Sequence, residues 1–180
     1  MITNDKFEKN LERYEVRVSV RLETTEHYNF DFKKTSESML LNALKELNYP
    51  LNCYSISLFV CNLETIKELN AKFMKKRLAT NVLAWPQVIY RTEKTTNFPK
   101  IPQNYFGQSK EIFLGDIAIS PQFCKDESFK LGINFKNHLK FIVVHAILHL
   151  LGFDHKSDKD AAVMNIMQDK LMLGDTSNAL

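Results

Sequence analysis

The segment HAILHLLGFDH, residues 145–155, constrains this chain more than any other stretch of its sequence. His145 and His149 are four residues apart, so on a helix both side chains project from nearly the same face. Gly152 can adopt the left-handed conformation that ends a helix, and this turn would bring His155 back toward the other two. Three neutral imidazoles suit zinc, and a tetrahedral ion with three protein ligands keeps a fourth position for water. The spacing therefore predicts one Zn²⁺, bound on a helix and the turn that follows.

Packing in a hydrophobic core is the alternative explanation for these histidines. Each buried imidazole would then need its own hydrogen-bond partner. Only two further histidines occur in the chain, His27 and His138, so three within one short segment favour the metal site. Asp154 has two interpretations of equal weight, as a carboxylate that orients a ligand imidazole or as a solvated capping residue.

The rest of the sequence alternates strand-like and helix-like segments. Period-two or β-rich patterns predict strands, and apolar residues at helical spacing predict helices. Strands are predicted at 14–23, 54–62, 82–88 and 111–120, and helices at 32–48, 63–74, 121–130, 134–151 and 158–172. Pro86 requires the third strand to end there or to lie at a sheet edge, and 90–108 is predicted to be a long surface loop. The expected fold is α+β, a single domain over 1–180 with one small mixed sheet of about four strands covered by about five helices.

The composition says more about the cellular compartment of the protein than about its binding partner. The net charge of +3 is compatible with an anionic partner without requiring one. The first residues, MITNDKFEKNLERYE, lack the apolar region of a secretory signal, and the apolar stretch 141–153 is too short to span a bilayer. Three cysteines, Cys53, Cys61 and Cys124, lack metal-type spacing and lie in apolar surroundings. We therefore expect a cytoplasmic protein with no membrane association.

The ligand spacing also resembles the HExxHxxGxxH pattern of metzincin peptidases. Those enzymes carry a glutamate general base directly after the first histidine. Here that position is Ala146, which cannot accept a proton from water. A metallopeptidase therefore remains only a weak alternative.

The same segment resembles the signature HGxLHLxGYDH of the YbeY endoribonucleases, bacterial ribosomal-RNA maturation factors. Three further stretches are similar to the family in the same order: LN at 69–70, TNVLAWP at 80–86 against TDVLSFP, and LGDIAIS at 114–120 against LGDIVIS. The resemblance covers roughly residues 55–172. The histidine motif and LGDI are its most specific parts.

This resemblance implies a zinc-dependent endoribonuclease that cleaves single-stranded RNA. It further implies a role in 16S rRNA 3′-end maturation and ribosome quality control, with small-subunit rRNA and the ribosome or its proteins as partners. His145, His149 and His155 would be the zinc ligands and part of the catalytic site. Asp116 of LGDI would support catalysis, although a strand-end residue that binds backbone amides is an equally simple interpretation.

Ala146 stands for the signature's glycine and Phe153 for its tyrosine, and two further departures from the family pattern bear on RNA binding. Met74 stands where the family usually has an arginine that engages RNA phosphate, and Asn81 replaces the usual aspartate. Neighbouring cations can bind the same phosphate with less geometric control than a bidentate arginine, although a solvated helix end also explains them. These predicted RNA-binding residues are Lys72, Lys75, Lys76 and Arg77. A catalytically weak ribosome-assembly factor with a structural metal site is therefore a second hypothesis, and no residue is assigned as general base.

Overall fold

The fold centres on a four-stranded sheet, seen in a computed structural model that describes residues 14–24, 26–88, 91–92, 99–101 and 111–174. In chain order the described elements are β1 (Glu15–Leu22), α1 (Phe32–Glu46), β2 (Cys53–Val60), α2 (Leu63–Met74), β3 (Val82–Pro86), β4 (Arg91–Thr92), β5 (Pro99–Lys100), β6 (Ile112–Ile119), α3 (Pro121–Leu131), α4 (Phe135–Leu150) and α5 (Asp158–Leu173). The predicted α+β class is confirmed. The boundaries of the predicted helices agree with the observed ones to within two residues.

The main sheet has the strand order β1-β2-β6-β3 and is mixed. β1, β2 and β6 run parallel to one another, whereas β3 pairs antiparallel with β6 and forms an edge. Pro86 is the last residue of β3, so the missing N–H of proline interrupts no central ladder. This edge strand, together with α4, positions the candidate site.

Helix α4 is apolar on nearly every side because it lies in the centre of the fold. It contacts α1, α3, α5, β3 and β6. Its fully buried residues include Leu139, Val143, Ala146 and Ile147. A helix with apolar residues all round is typical of a core position. His145 and His149, near its C-terminus, are therefore polar residues on a largely apolar, buried helix.

Strand β6 contains an irregularity that decides which way Asp116 points. The β2–β6 register shifts between Ser55 and Ile56, and Leu114 and Ile117 both lie in the core below α4 although they are three residues apart. Gly115 lies between them with φ of 143°, and a Cβ there would be 2.2 Å from the Trp85 carbonyl oxygen. Glycine is therefore required at this close approach, and Asp116 lies on the sheet face opposite α4.

The prediction of a surface loop over 90–108 is wrong for part of that segment. Arg91–Thr92 pairs antiparallel with Pro99–Lys100, and Ile101 is buried. The Tyr49 hydroxyl donates a hydrogen bond to the Pro99 carbonyl at 2.9 Å, which anchors this segment to the core. Its polar, proline-containing composition gave no sign of that distant contact, and the rest of the predicted loop lies outside the described residues.

Across the described ranges, no helix of the fold combines the length and the apolar character needed to cross a bilayer.

Candidate metal centre

Two imidazoles of α4 form the floor of the candidate site. His145 and His149 lie one helical turn apart, and their Nε2 atoms are 3.1 Å apart. Both side chains are half-buried. Nitrogens bound at about 2.0–2.1 Å to one tetrahedral ion would lie roughly 3.3 Å apart. The observed separation therefore fits two ligands of the same cation.

The turn after α4 brings the third histidine to this pair. Gly152 has φ of 88°, and its N–H and that of Phe153 donate to the carbonyls of His149 and Leu148, each at 3.0 Å. This is the Schellman arrangement that ends many helices, so the predicted left-handed turn is confirmed. It reverses the chain, and one potential ligand atom from each of His145, His149 and His155 lies within 4.8 Å of the others.

The tautomer of His145 is set from the neighbouring helix. Gln168 on α5 is buried, and its Nε2 donates to the Phe141 carbonyl at 3.1 Å. Its Oε1 is therefore the atom that faces His145, 3.2 Å from Nδ1. A carbonyl oxygen only accepts, so Nδ1 of His145 carries the proton and Nε2 is free to bind metal.

The tautomer of His149 is set by the turn. Its Nδ1 lies 3.0 Å from the Phe153 carbonyl oxygen and donates to it. Both Nε2 atoms of the pair therefore present lone pairs to each other at 3.1 Å. Two facing lone pairs repel unless a cation lies between them. The hydrogen bonds at the back of each ring thus favour a bound ion at the front.

Burial keeps these imidazoles in the form that binds metal. Burial lowers the pKa of His145. Burial, followed by the neighbouring His145, lowers the pKa of His149 to about 4. Neutral imidazole is the ligand form, and a proton competes weakly for such a nitrogen near neutral pH.

A cavity of about 580 Å³ opens above the histidines, and two lysines line it, Lys76 and Lys156. Asp154 also lines this cavity but does not orient an imidazole. Its carboxylate accepts from the His155 backbone N–H at 2.8 Å and lies 2.6 Å from the Lys156 ammonium. Burial raises the pKa of Asp154, but the ammonium of Lys156 and the His155 N–H together lower it below the ordinary value. The structure favours the capping interpretation of Asp154.

The predicted RNA-binding cations do not all reach this cavity. Lys76 lines it, together with Met74 and Asn81, two of the positions that depart from the family pattern. Lys72, Lys75 and Arg77 are exposed on the same segment but are absent from its walls. Among the predicted four, Lys76 alone lies in the cavity wall that also contains Met74.

Asn81, at the position of the usual family aspartate, lies beside the carboxylate of Glu127. The Asn81 amide donates to Glu127 on α3 at 3.1 Å, and the same Glu127 oxygen accepts from the ring of His138 at 2.6 Å. An aspartate at position 81 would meet Glu127 as a like charge. This network also accounts for His138, which lies outside the histidine motif.

Asp116 is not brought to the histidines. It lies on the opposite face of the sheet and lines a second cavity, beside Trp85 and Ala118. The part of its predicted role that requires contact with the metal site has no geometric support, and a catalytic role for Asp116 stays a prediction.

Sequence reasoning missed three groups of the site: the amide of Gln168, the carbonyl of Phe153 and the ammonium of Lys156. The available signal for Gln168 was a lone uncharged polar residue on the apolar face of α5, next to Met164, Met167 and Leu171. Such a residue in a core needs a partner. Its partner is 23 positions away in sequence, and nothing local identifies it.

Comparisons with known proteins point to one family. Residues 17–174 match the model of the family described as Endoribonuclease YbeY. An Endoribonuclease YbeY of Agathobacter rectalis is 29% identical over 81% of this chain and 89% of its own length. One of Dinoroseobacter shibae is 33% identical over 72% of this chain and 70% of its own length. One of Ruegeria pomeroyi is 37% identical, covering 65% of this chain and 70% of that protein.

A solved structure has a similar fold. The solution structure of TM1509 from Thermotoga maritima aligns with a TM-score of 0.52 and 22% identity over 87% of each chain. At this identity the likeness concerns the fold alone. The family model, by contrast, extends over most of the sequence and includes the histidine motif. The chain therefore belongs to the YbeY family of endoribonucleases.

Proposed function

We propose that the histidine cavity is a zinc-dependent active site that cleaves single-stranded RNA. The observation that carries this proposal is the convergence of three histidine nitrogens within 4.8 Å at the base of a cavity with two lysines. Membership of an endoribonuclease family supports RNA as the substrate. Neutral nitrogen ligands in a set of three support zinc with one position left for solvent.

His145, His149 and His155 would hold the ion, with Gln168 and the Phe153 carbonyl fixing two of the rings. Zinc bound there would supply a Lewis acid and a water whose pKa falls toward about 7. Lys76 and Lys156 would bind the phosphate oxygens of the RNA and offset their negative charge as the phosphodiester is hydrolysed. Asp116 remains a predicted supporting residue, and no general base is assigned.

We further propose a cellular role in 16S rRNA 3′-end maturation and ribosome quality control. The partners would be small-subunit rRNA and the ribosome or ribosomal proteins, and the compartment would be the cytoplasm, with 1–180 acting as one domain. Free, buried cysteines support a reducing compartment: Cys53, Cys61 and Cys124 are all unpaired.

A second candidate function is an assembly factor that holds RNA without cutting it and uses the metal structurally. Met74, which lines the histidine cavity where the family usually has arginine, favours this candidate. The peptidase alternative is weaker still, because Ala146 is fully buried in the core and cannot serve as a base.

Zinc analysis and RNA cleavage by the purified full-length chain, with and without chelator, test the proposal. We expect one zinc per chain and RNA fragments that disappear with chelator. His149→Ala should lose both, whereas His27→Ala, at an exposed position, should keep both. Zinc without fragments would favour the assembly factor, and full cleavage by metal-free His149→Ala would contradict the proposed mechanism.

A further inference from the structure

A second cavity, of about 400 Å³, lies on the sheet face opposite α4. We call it the aromatic cavity, since three aromatic side chains line it together with three polar ones: Phe59, Phe73, Trp85, Ser57, Gln87 and Asp116. Phe73 and Trp85 meet edge to face, with centroids 5.3 Å apart. Half of the Phe73 surface is exposed, 49%. The cavity thus offers π surface to a flat ligand.

The polar side chains of the aromatic cavity have unused hydrogen-bonding capacity. Among the described residues, no hydrogen bond or ion pair engages the side chains of Ser57, Gln87 or Asp116. A carboxylate beside aromatic rings is stabilised by N–H donors that reach it. The ligand that fits is therefore flat, aromatic and rich in N–H groups on one edge.

The charges around this cavity favour an anionic chain. The Arg21 guanidinium lies 5.0 Å from the centroid of Phe59, and Lys72 Nζ lies 5.2 Å from that of Phe73. The exposed segment after Phe73 adds Lys75, Lys76 and Arg77, of which Lys76 lines the histidine cavity. Cations in this arrangement attract a phosphate backbone and repel a basic peptide.

The aromatic cavity and the histidine cavity share the same two structural elements. On edge strand β3, Trp85 lines the aromatic cavity, while Ala84 and Pro86 line the histidine cavity. At the end of α2, Phe73 lines the first, and Met74 lines the second. A single-stranded RNA that runs along the cations after α2 would therefore pass both cavities.

We propose that the aromatic cavity binds a guanine base of the single-stranded RNA, an inference that rests on the proposed RNA substrate. The base would stack on the aromatic wall, and its N1–H and amino N–H would donate to the Asp116 carboxylate. The Gln87 amide would donate to the guanine O6. Guanine presents two adjacent donors on this edge, whereas adenine and cytosine present one amino donor beside an acceptor and uracil has one N–H between two acceptors. Asp116 thus selects a guanine near the cleavage site.

Trp85 provides a direct readout because it is the only tryptophan of the chain. Metal-free full-length protein is titrated with GMP, IMP, AMP and UMP, and the fluorescence of Trp85 is followed. GMP should quench it saturably, with an affinity about tenfold above that of IMP, which lacks the amino group and so loses one hydrogen bond to a charged acceptor. AMP and UMP should bind no better than IMP.

Matched variants identify the groups responsible. Asp116→Asn should lower GMP affinity at least about tenfold and remove the preference over IMP. Asp126→Asn, the same change at an exposed position of α3, should leave the GMP affinity and the preference over IMP unaltered. Gln87→Ala alters an exposed side chain and should weaken GMP binding severalfold, which keeps the test valid if Asp116→Asn misfolds.

Equal binding of all four nucleotides, or unchanged GMP affinity in Asp116→Asn, would overturn the guanine site. Asp116-dependent binding of an arginine-rich peptide in place of GMP would overturn it in favour of a protein partner. The titration involves neither metal nor cleavage, so it separates this inference from the proposed nuclease activity. GMP binding without RNA cleavage would support the guanine site and contradict the nuclease activity. RNA cleavage without base preference would support the nuclease activity and contradict the guanine site.

Discussion

Gln168 on α5 holds His145 on α4 in a single tautomer. Its Oε1 lies 3.2 Å from Nδ1 of the imidazole, and its Nε2 is fixed by the Phe141 carbonyl at 3.1 Å. The direction of the amide is thus decided by the backbone of the helix that carries the histidine. Packing of α5 against α4 and the ligand geometry of the candidate metal site are therefore coupled.

Gln168→Leu should weaken zinc binding about 10- to 100-fold. The reason is that the His145 ring loses a hydrogen-bond acceptor that both fixes its orientation and makes it a more basic ligand. Leucine fills the buried space, so the fold should persist. Competition with a chromophoric chelator measures the affinity. Gln122→Leu, which removes a side-chain amide on α3, is the control. Unchanged zinc affinity in Gln168→Leu would show that the amide has only a packing role.

Gly115→Ala should destabilise the protein by about 3 kcal/mol or more, since φ is strained for alanine and its Cβ would overlap a backbone atom. The Cβ would lie 2.2 Å from the Trp85 carbonyl oxygen. Gly132→Ala is a matched control, since φ is +66° there and nothing lies within 4 Å. This control substitution should lower the free energy of unfolding by about 1 kcal/mol. Urea unfolding compares the two, and similar losses would refute the close-approach argument.

The convergence of the three histidines can be predicted from the sequence because its determinants are local. Helical spacing places His145 and His149 together, and a single glycine conformation returns His155. The position of Asp116 was beyond local reasoning. The face of the sheet on which Asp116 lies depends on the register shift at Ser55/Ile56 of the neighbouring strand. A register shift of one residue moves each side chain to the opposite face of the sheet. Gln168 was missed for a similar reason, since its partner lies on another helix.

The buried thiol of Cys124 should make stability fall at alkaline pH. Burial raises its pKa from the ordinary 9.0 to about 12. The unfolded chain releases this proton above pH 9 while the folded chain keeps it, so the stabilising contribution is complete below the ordinary pKa and is lost as the pH rises toward 12. Urea unfolding at about pH 8 and about pH 10.5 should show the decline. In Cys124→Ala it should be smaller, and an identical decline in both proteins would contradict the assignment.

Lys76 and Lys156 should carry the phosphate contacts that Met74 cannot make. Both line the histidine cavity, so replacing either by alanine should weaken single-stranded RNA binding severalfold and reduce the slope of log affinity against log salt by about 0.7. Lys130→Ala, an equal charge change on α3, should leave both unchanged. Met74→Arg should tighten binding, because a guanidinium at this half-exposed cavity position can grip phosphate bidentately. Fluorescence anisotropy with a labelled RNA in chelator separates binding from cleavage. A salt slope unaltered in both lysine variants would mean that the RNA backbone passes elsewhere.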